Sequence, residues 1–231
     1  MIEMLDFIRN HLAHVAPIFL AGAFALAIVL ERIRALYVVY PLQNEISFFE
    51  KLRDLVMKGE VAEAIAFCDR YHSKPVARVV KKALLRAHQP ESLIENGLEL
   101  AVEEESQKIQ KRTGFLAMIA NVATLLGLLG TIAGLVESFR AIGLEEGGAK
   151  TTALAEGISQ AMHATMLGLG VAIPCMIAFS FLINKTTRLV SEVESSAVRV
   201  LDIIKQRYFE TEAAALNKNY REQSGKGRGV A

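Results

Sequence analysis

Two cysteines occur in 231 residues, Cys68 and Cys175. One lies in a polar stretch and the other in an apolar one, so no disulfide framework is expected, and neither has a second cysteine at metal-ligand spacing. The five histidines, His11, His14, His72, His88 and His163, show no close ligand pairing. No glycine-rich phosphate loop precedes a polar helix, no hydrolase elbow is present, and no serine or cysteine has an evident base, which argues against an enzyme. A net charge of +1 gives no reason to expect nucleic acid as a partner. The most informative absence is local. Residues 12–30, 113–136 and 157–184 contain no Asp, Glu, Lys or Arg, although 22% of the whole chain is charged.

These stretches of 19, 24 and 28 residues are long enough, at about 1.5 Å per helical residue, to cross or nearly cross a hydrocarbon core about 30 Å thick. The sequence therefore predicts an all-α integral membrane protein with three transmembrane helices at 12–30, 113–136 and 157–184. A cleaved signal peptide is the competing reading of the first. Glu3 and Asp6 leave its leading segment without net positive charge, and the apolar run continues past the small residues of a would-be cleavage site. Residues 1–11 place apolar side chains at helical spacing, as in a segment lying along the membrane surface.

Orientation follows from Lys and Arg: 1 in residues 1–11, 14 in 31–112, 2 in 137–156 and 9 in 185–231. The positive-inside tendency puts 31–112 and the C-terminal segment in the cytoplasm. The N-terminus and the 137–156 loop then face outward. Within 31–112, an amphipathic helix is expected with Ile46, Phe49, Leu52 and Leu55 on one face, and Pro75 and Pro90 mark further starts. No proline falls within residues 91–136, so one helix of about 69 Å is expected to run into the second span. After the third span, Val190, Val193, Ala197, Val200, Ile204 and Tyr208 recur near heptad spacing and extend that helix as a packing surface. The closing SGKGRGVA reads as a disordered tail.

The second span carries four glycines, Asn121 and two interior threonines, which bare lipid does not favour. Thr124, Thr131 and Ser138 recur every seven residues on one face, close to Gly127, Gly130 and Gly134. Two readings stand: a small-residue packing seam, or a hydroxyl stripe lining a narrow, partly hydrated path. The third span offers Gln160, His163 and Thr165, then Gly168, Gly170 and the interior Pro174. His163 is either a hydrogen-bonded neutral imidazole or a proton carrier. At about 100° per residue, Gln160 and Thr165 are about 140° apart, so one straight helix does not aim both at the same line.

GLLGTIAGL in the second span and GISQAMHATMLGLGVAIP in the third resemble the motifs of the MotA/TolQ/ExbB proton-channel family, most closely its ExbB/TolQ branch. Glu31 and Arg32 after the first span, and the order of spans and cytoplasmic segments, are similar too. The resemblance implies an inner-membrane homopentamer enclosing a dimer of an ExbD/TolR-like single-span partner, with protons as the coupling ion and no cofactor or metal. It implies mechanical work, delivered by rotation to a TonB-like or other envelope effector. It places Thr131 and Thr165 at the two pore-facing threonines of the family; from the residues themselves Thr124, Gln160 and His163 are candidates for the same proton pathway, and Gly127, Gly130, Gly134, Gly168, Gly170 and Pro174 for helix packing. Gln160 stands where ExbB- and TolQ-like proteins usually have glutamate. Since threonine does not ionise, a carboxylate on the partner is expected to carry the proton. A non-conducting structural scaffold is the alternative.

Overall fold

The computed structural model describes residues 12–42, 44–142 and 149–226; within these, the side chains of residues 12–15, 141–142, 149, 153, 160, 214–215 and 217–226 lie outside the description. The described chain is helical without strands, and three of its helices are long and apolar enough to cross a membrane. The surface segment expected at residues 1–11 lies outside the described residues.

Two compact units emerge, one from residues 1–35 and 110–185, the other from 36–109 and 186–231. In the first, α1 (Leu12–Ile33) packs on α6 (Thr113–Ile142). Its inward stripe is Ile18, Ala25, Ile28 and Arg32, spaced by seven, three and four residues as one helical face requires. Phe19, Leu20, Phe24 and Leu30 point outward and are half or more exposed, the arrangement expected where lipid replaces water. Gly22 admits the third helix, since a Cβ there would stand 3.2 Å from Val171 Cγ2. That helix, α7, runs unbroken from Ala149 to Lys226.

In the second unit, α2 (Glu45–Met57), α3 (Val61–Asp69) and α4 (Pro75–Leu85) pack in sequence, followed by α5 (Glu91–Gln110). Pro75 opens α4 at its first turn, where a missing N–H costs nothing and the preceding Lys74 is held extended. Gly59, at φ +87°, makes the reversal between α2 and α3 that a side chain would strain. The core combines Leu52, Val56, Val79, Val80, Ala83 and Leu84 with Val193, Ala197, Val200 and Ile204 from the second half of α7.

Five expectations are corrected. The helix expected to run unbroken over 91–136 is interrupted at residues 111–112, where Arg112 adopts φ 65° and its guanidinium pairs with Glu31 at 2.5 Å. The 137–156 loop is mostly helical, because α6 extends to Ile142 and α7 begins at Ala149. The buried face of α2 is Phe48, Phe49, Leu52 and Val56; Ile46 is 73% exposed and Leu55 half-buried. Phe48 wins because it stacks on Phe67 at 5.2 Å and meets Tyr71 edge-on at 5.5 Å, a cluster that α3 and the turn after it create. Tyr208 does not continue the heptad surface: it is 67% exposed on the wall of an open cleft with Val56 and Val61. In the expected tail, α7 is helical to Lys226, and residues 227–231 lie outside the described residues.

Candidate functional site

The site is a seam between α6 and the membrane half of α7. On α6, glycines recur at 127, 130 and 134; opposite stand Ala161, Ala164 and Gly168. A Cβ on Gly130 would lie 2.6 Å from Ala164 Cβ, and one on Gly168 would lie 2.6 Å from the Ala123 carbonyl. A Cβ on Gly134 would meet Ala161 Cβ at 3.0 Å, and one on Gly127 would meet the Ala164 carbonyl at 3.2 Å. Backbone therefore approaches backbone along this line, as small residues allow in a membrane interior. Gly170 has nothing within 4 Å and Pro174 is exposed, so neither packs against another helix inside this chain.

Close approach brings the two threonines together. Thr131 Oγ1 and Thr165 Oγ1 are in direct hydrogen-bond contact. Thr131 Oγ1 also lies 3.2 Å from the carbonyls of Gly127 and Ala161, and Thr165 Oγ1 lies 3.2 Å from that of Gly127. Each hydroxyl has one proton, so two protons serve two carbonyls and the hydroxyl–hydroxyl bond among them. More than one arrangement satisfies this geometry, differing only in hydroxyl rotation. The pair can thus hand on a hydrogen bond but supplies no titrating group.

The other expected residues divide. Thr124 donates back to the Ala120 carbonyl at 3.0 Å and is exposed within this chain. Ser138 donates to the Gly134 carbonyl at 2.7 Å and packs so tightly on Gly157 that no Cβ fits there. Of the seven-residue stripe, Thr131 is the member whose hydroxyl hydrogen-bonds across to α7 among the described residues, while Ser138 meets it by packing alone. His163 sits half-buried between Ala161 and Ala164 in the sequence of α7, and Gln160, though helical, has its side chain outside the described residues.

Other features were not legible as sites. Arg32 is only 3% exposed, on the inward stripe of α1. In the second unit, Glu105 is fully buried and held by Arg78 Nε at 2.8 Å, by Arg78 Nη2 and by Lys108 Nζ at 2.7 Å. Burial pushes its carboxyl upward, but the hydrogen bonds from Arg78 and Lys108 outweigh that and hold it below the usual carboxylate range. The signal was present: Ile94, Leu98, Ala101, Glu105 and Ile109 form one buried stripe, with a carboxylate at an apolar position. Cys68 is buried and its thiol pushed up to about 12, chiefly by desolvation.

Residues 71–195 match the model of the MotA/TolQ/ExbB proton channel family. The chain belongs to this family. Both threonines and the whole glycine seam fall inside the matched segment, whereas α1 precedes it. The chain is 33% identical over 137 residues to a biopolymer transport ExbB homolog of Methanothermobacter thermautotrophicus, covering 59% of this chain and 48% of that protein. It is 25% identical over 208 residues to the biopolymer transport protein exbB1 of Vibrio cholerae, covering 83% and 85%. With the Tol-Pal system protein TolQ of Haemophilus influenzae it shares 33% identity over 119 residues, 49% of each chain. The chain thus spans about half the length of the first and third of these relatives and most of the second. These matches support the ExbB/TolQ branch of the family, and the long apolar helices place the protein in a membrane.

Proposed function

We propose that the chain is the proton-conducting motor subunit of an energy-transducing complex in the bacterial inner membrane. Five copies surround two single-span helices of an ExbD/TolR-like partner, and proton flow turns one set against the other. The N-terminus is periplasmic and the C-terminus cytoplasmic, by the distribution of Lys and Arg. The work reaches a TonB-like or other envelope effector; the subunit catalyses no covalent chemistry and needs no cofactor. Thr131 and Thr165 line the path with Thr124, Gln160 and His163. The observation that carries this reading is the hydroxyl pair, inside the family-matched segment and in spans without Asp, Glu, Lys or Arg. Such a pair orients and relays but does not carry, so the partner's carboxylate carries the proton.

The test is pH change in proteoliposomes under an imposed potential. The pentamer alone is expected to conduct almost nothing, the complex to conduct, and the complex with the partner's membrane aspartate changed to asparagine to assemble but not conduct. Substantial flux through the pentamer alone overturns the borrowed carrier and turns attention to His163. A non-conducting scaffold is the second reading, favoured by the hydroxyls bonding within the seam they help pack. It predicts an intact complex that never conducts.

A further inference from the structure

Seven lysine side chains are described in the unit of residues 36–109 and 186–231, and five of them are paired with carboxylates: Lys58, Lys81, Lys82, Lys108 and Lys205. The two that are not, Lys51 and Lys74, line the same pocket, a half-open cavity of about 470 Å³. Among the described residues no Asp or Glu lines it. Lys51 Nζ stands 5.3 Å above the Phe67 ring, and Lys74 Nζ has only a long contact of 3.4 Å to the Val38 carbonyl. Asn44 and Ser47, also on the wall, have no side-chain hydrogen bond to any described residue, and the Asn44 amide leaves the start of α2 uncapped. The floor is aromatic, built from the stacked Phe48 and Phe67 with Tyr71 edge-on to both.

Neither ammonium group has a described carboxylate within ion-pair distance, so the charge of each is left without a counter-charge. Unused donors converging over an apolar floor are the composition of a small-ligand pocket. We propose that this pocket binds an amphiphilic phosphate: a phosphate ester whose oxygens take the protons of Lys51, Lys74, Asn44 and Ser47 while its organic part rests on Phe67 and Tyr71. The shared chemistry has two sources, an anionic phospholipid headgroup or a soluble phosphate ester. The first is included because Leu42, on the pocket wall, follows the end of α1 at Ile33 by only nine residues in sequence.

Full-length protein in a neutral detergent is titrated by calorimetry with dihexanoyl phosphatidylglycerol, dihexanoyl phosphatidylcholine, phenyl phosphate and inorganic phosphate. Saturable binding of phosphatidylglycerol but not phosphatidylcholine or phenyl phosphate identifies a headgroup. Binding of phenyl phosphate more tightly than inorganic phosphate identifies a soluble ester, and Tyr71→Ala then narrows that gap. In either case the Kd rises at least tenfold in Lys51→Gln/Lys74→Gln and by a smaller factor in each single variant. Lys58→Gln/Lys111→Gln, with the same loss of charge elsewhere, binds as the parent does. Failure of all four probes to bind overturns the proposal. So does unaltered binding in Lys51→Gln/Lys74→Gln, or an equal loss in the control variant.

Discussion

Inward-facing residues differ in kind between the two units. Along the α6–α7 seam of the first they are Ala120, Ala123, Gly127, Ala161, Ala164 and Gly168, while Leu125, Leu128, Leu129 and Phe181 point outward and the buried Leu116 and Leu182 lie beyond the seam. In the second they are Phe48, Leu52, Val79, Val80 and Leu84, with ion pairs such as Lys81–Asp69 and Lys58–Asp54 on the outside. The inversion follows from the solvent. Where water surrounds a unit, burying a large apolar side chain is the driving force, worth about 1.5–3 kcal/mol each. Where lipid surrounds it, burial gains little, and association depends on how closely backbones approach and which hydroxyls find acceptors. The same substitution should therefore have opposite consequences in the two places.

The largest effect is expected at Gly130. Leucine there adds four heavy atoms where a Cβ alone would lie 2.6 Å from Ala164 Cβ. Gly130→Leu is expected to eliminate the folded oligomer on size-exclusion chromatography, whereas Gly170→Leu, with open space around it in this chain, leaves the subunit's helicity and thermal unfolding unchanged. Equal behaviour of the two would dissolve the distinction between seam and outer face.

Next comes Glu105. Its removal leaves Arg78 beside a buried gap, so Glu105→Ala is expected to cost about 3 kcal/mol of unfolding free energy, read by chemical denaturation in detergent. The folded-state pKa is depressed, so this stabilisation is complete above the unfolded-state value of about 4.3 and is lost as pH falls through the lower folded one. Glu105→Gln should flatten that part of the pH–stability curve; a variant with the parent's acid dependence would show that Glu105 is not its source.

Smaller in stability but large in activity is Thr131→Val. It is near-isosteric and loses hydrogen bonds worth about 1 kcal/mol. The complex is expected to assemble and lose most proton flux, and full flux in both Thr131→Val and Thr165→Val would reduce the hydroxyl pair to packing. The least effect is expected from His163→Asn, with flux and its pH midpoint unchanged; a shifted midpoint would make His163 a titrating member of the path.

The all-α class and the three apolar helices were legible because stretches without charge have few other uses. The shared face of Thr131 with Gly127, Gly130 and Gly134 was legible too, through their spacing, whereas Gly170 lies off the seam. Which hydroxyl of the stripe meets α7 was not, since Thr124 and Thr131 are equivalent by periodicity and differ only in what faces them. The face of α2 was misread because an aromatic cluster contributed by α3 and the following turn outweighs the helix's own pattern. The break at Arg112 carries no glycine or proline, and a positive φ on arginine leaves no mark in composition. Glu105 belongs to an acidic run with Glu103 and Glu104, and only its register with Leu98, Ala101 and Ile109 sets it apart.

Both native thiols are buried, and Cys68 stays protonated far above neutral pH because its surroundings disfavour the thiolate. Maleimides and oxidants react with thiolates that they can reach. The wild-type chain is therefore close to silent toward such reagents while folded, and a spectroscopic reporter can be attached at one introduced surface cysteine without first deleting the two already present. Any later labelling of Cys68 then becomes a clock for the opening of the α2–α4 core.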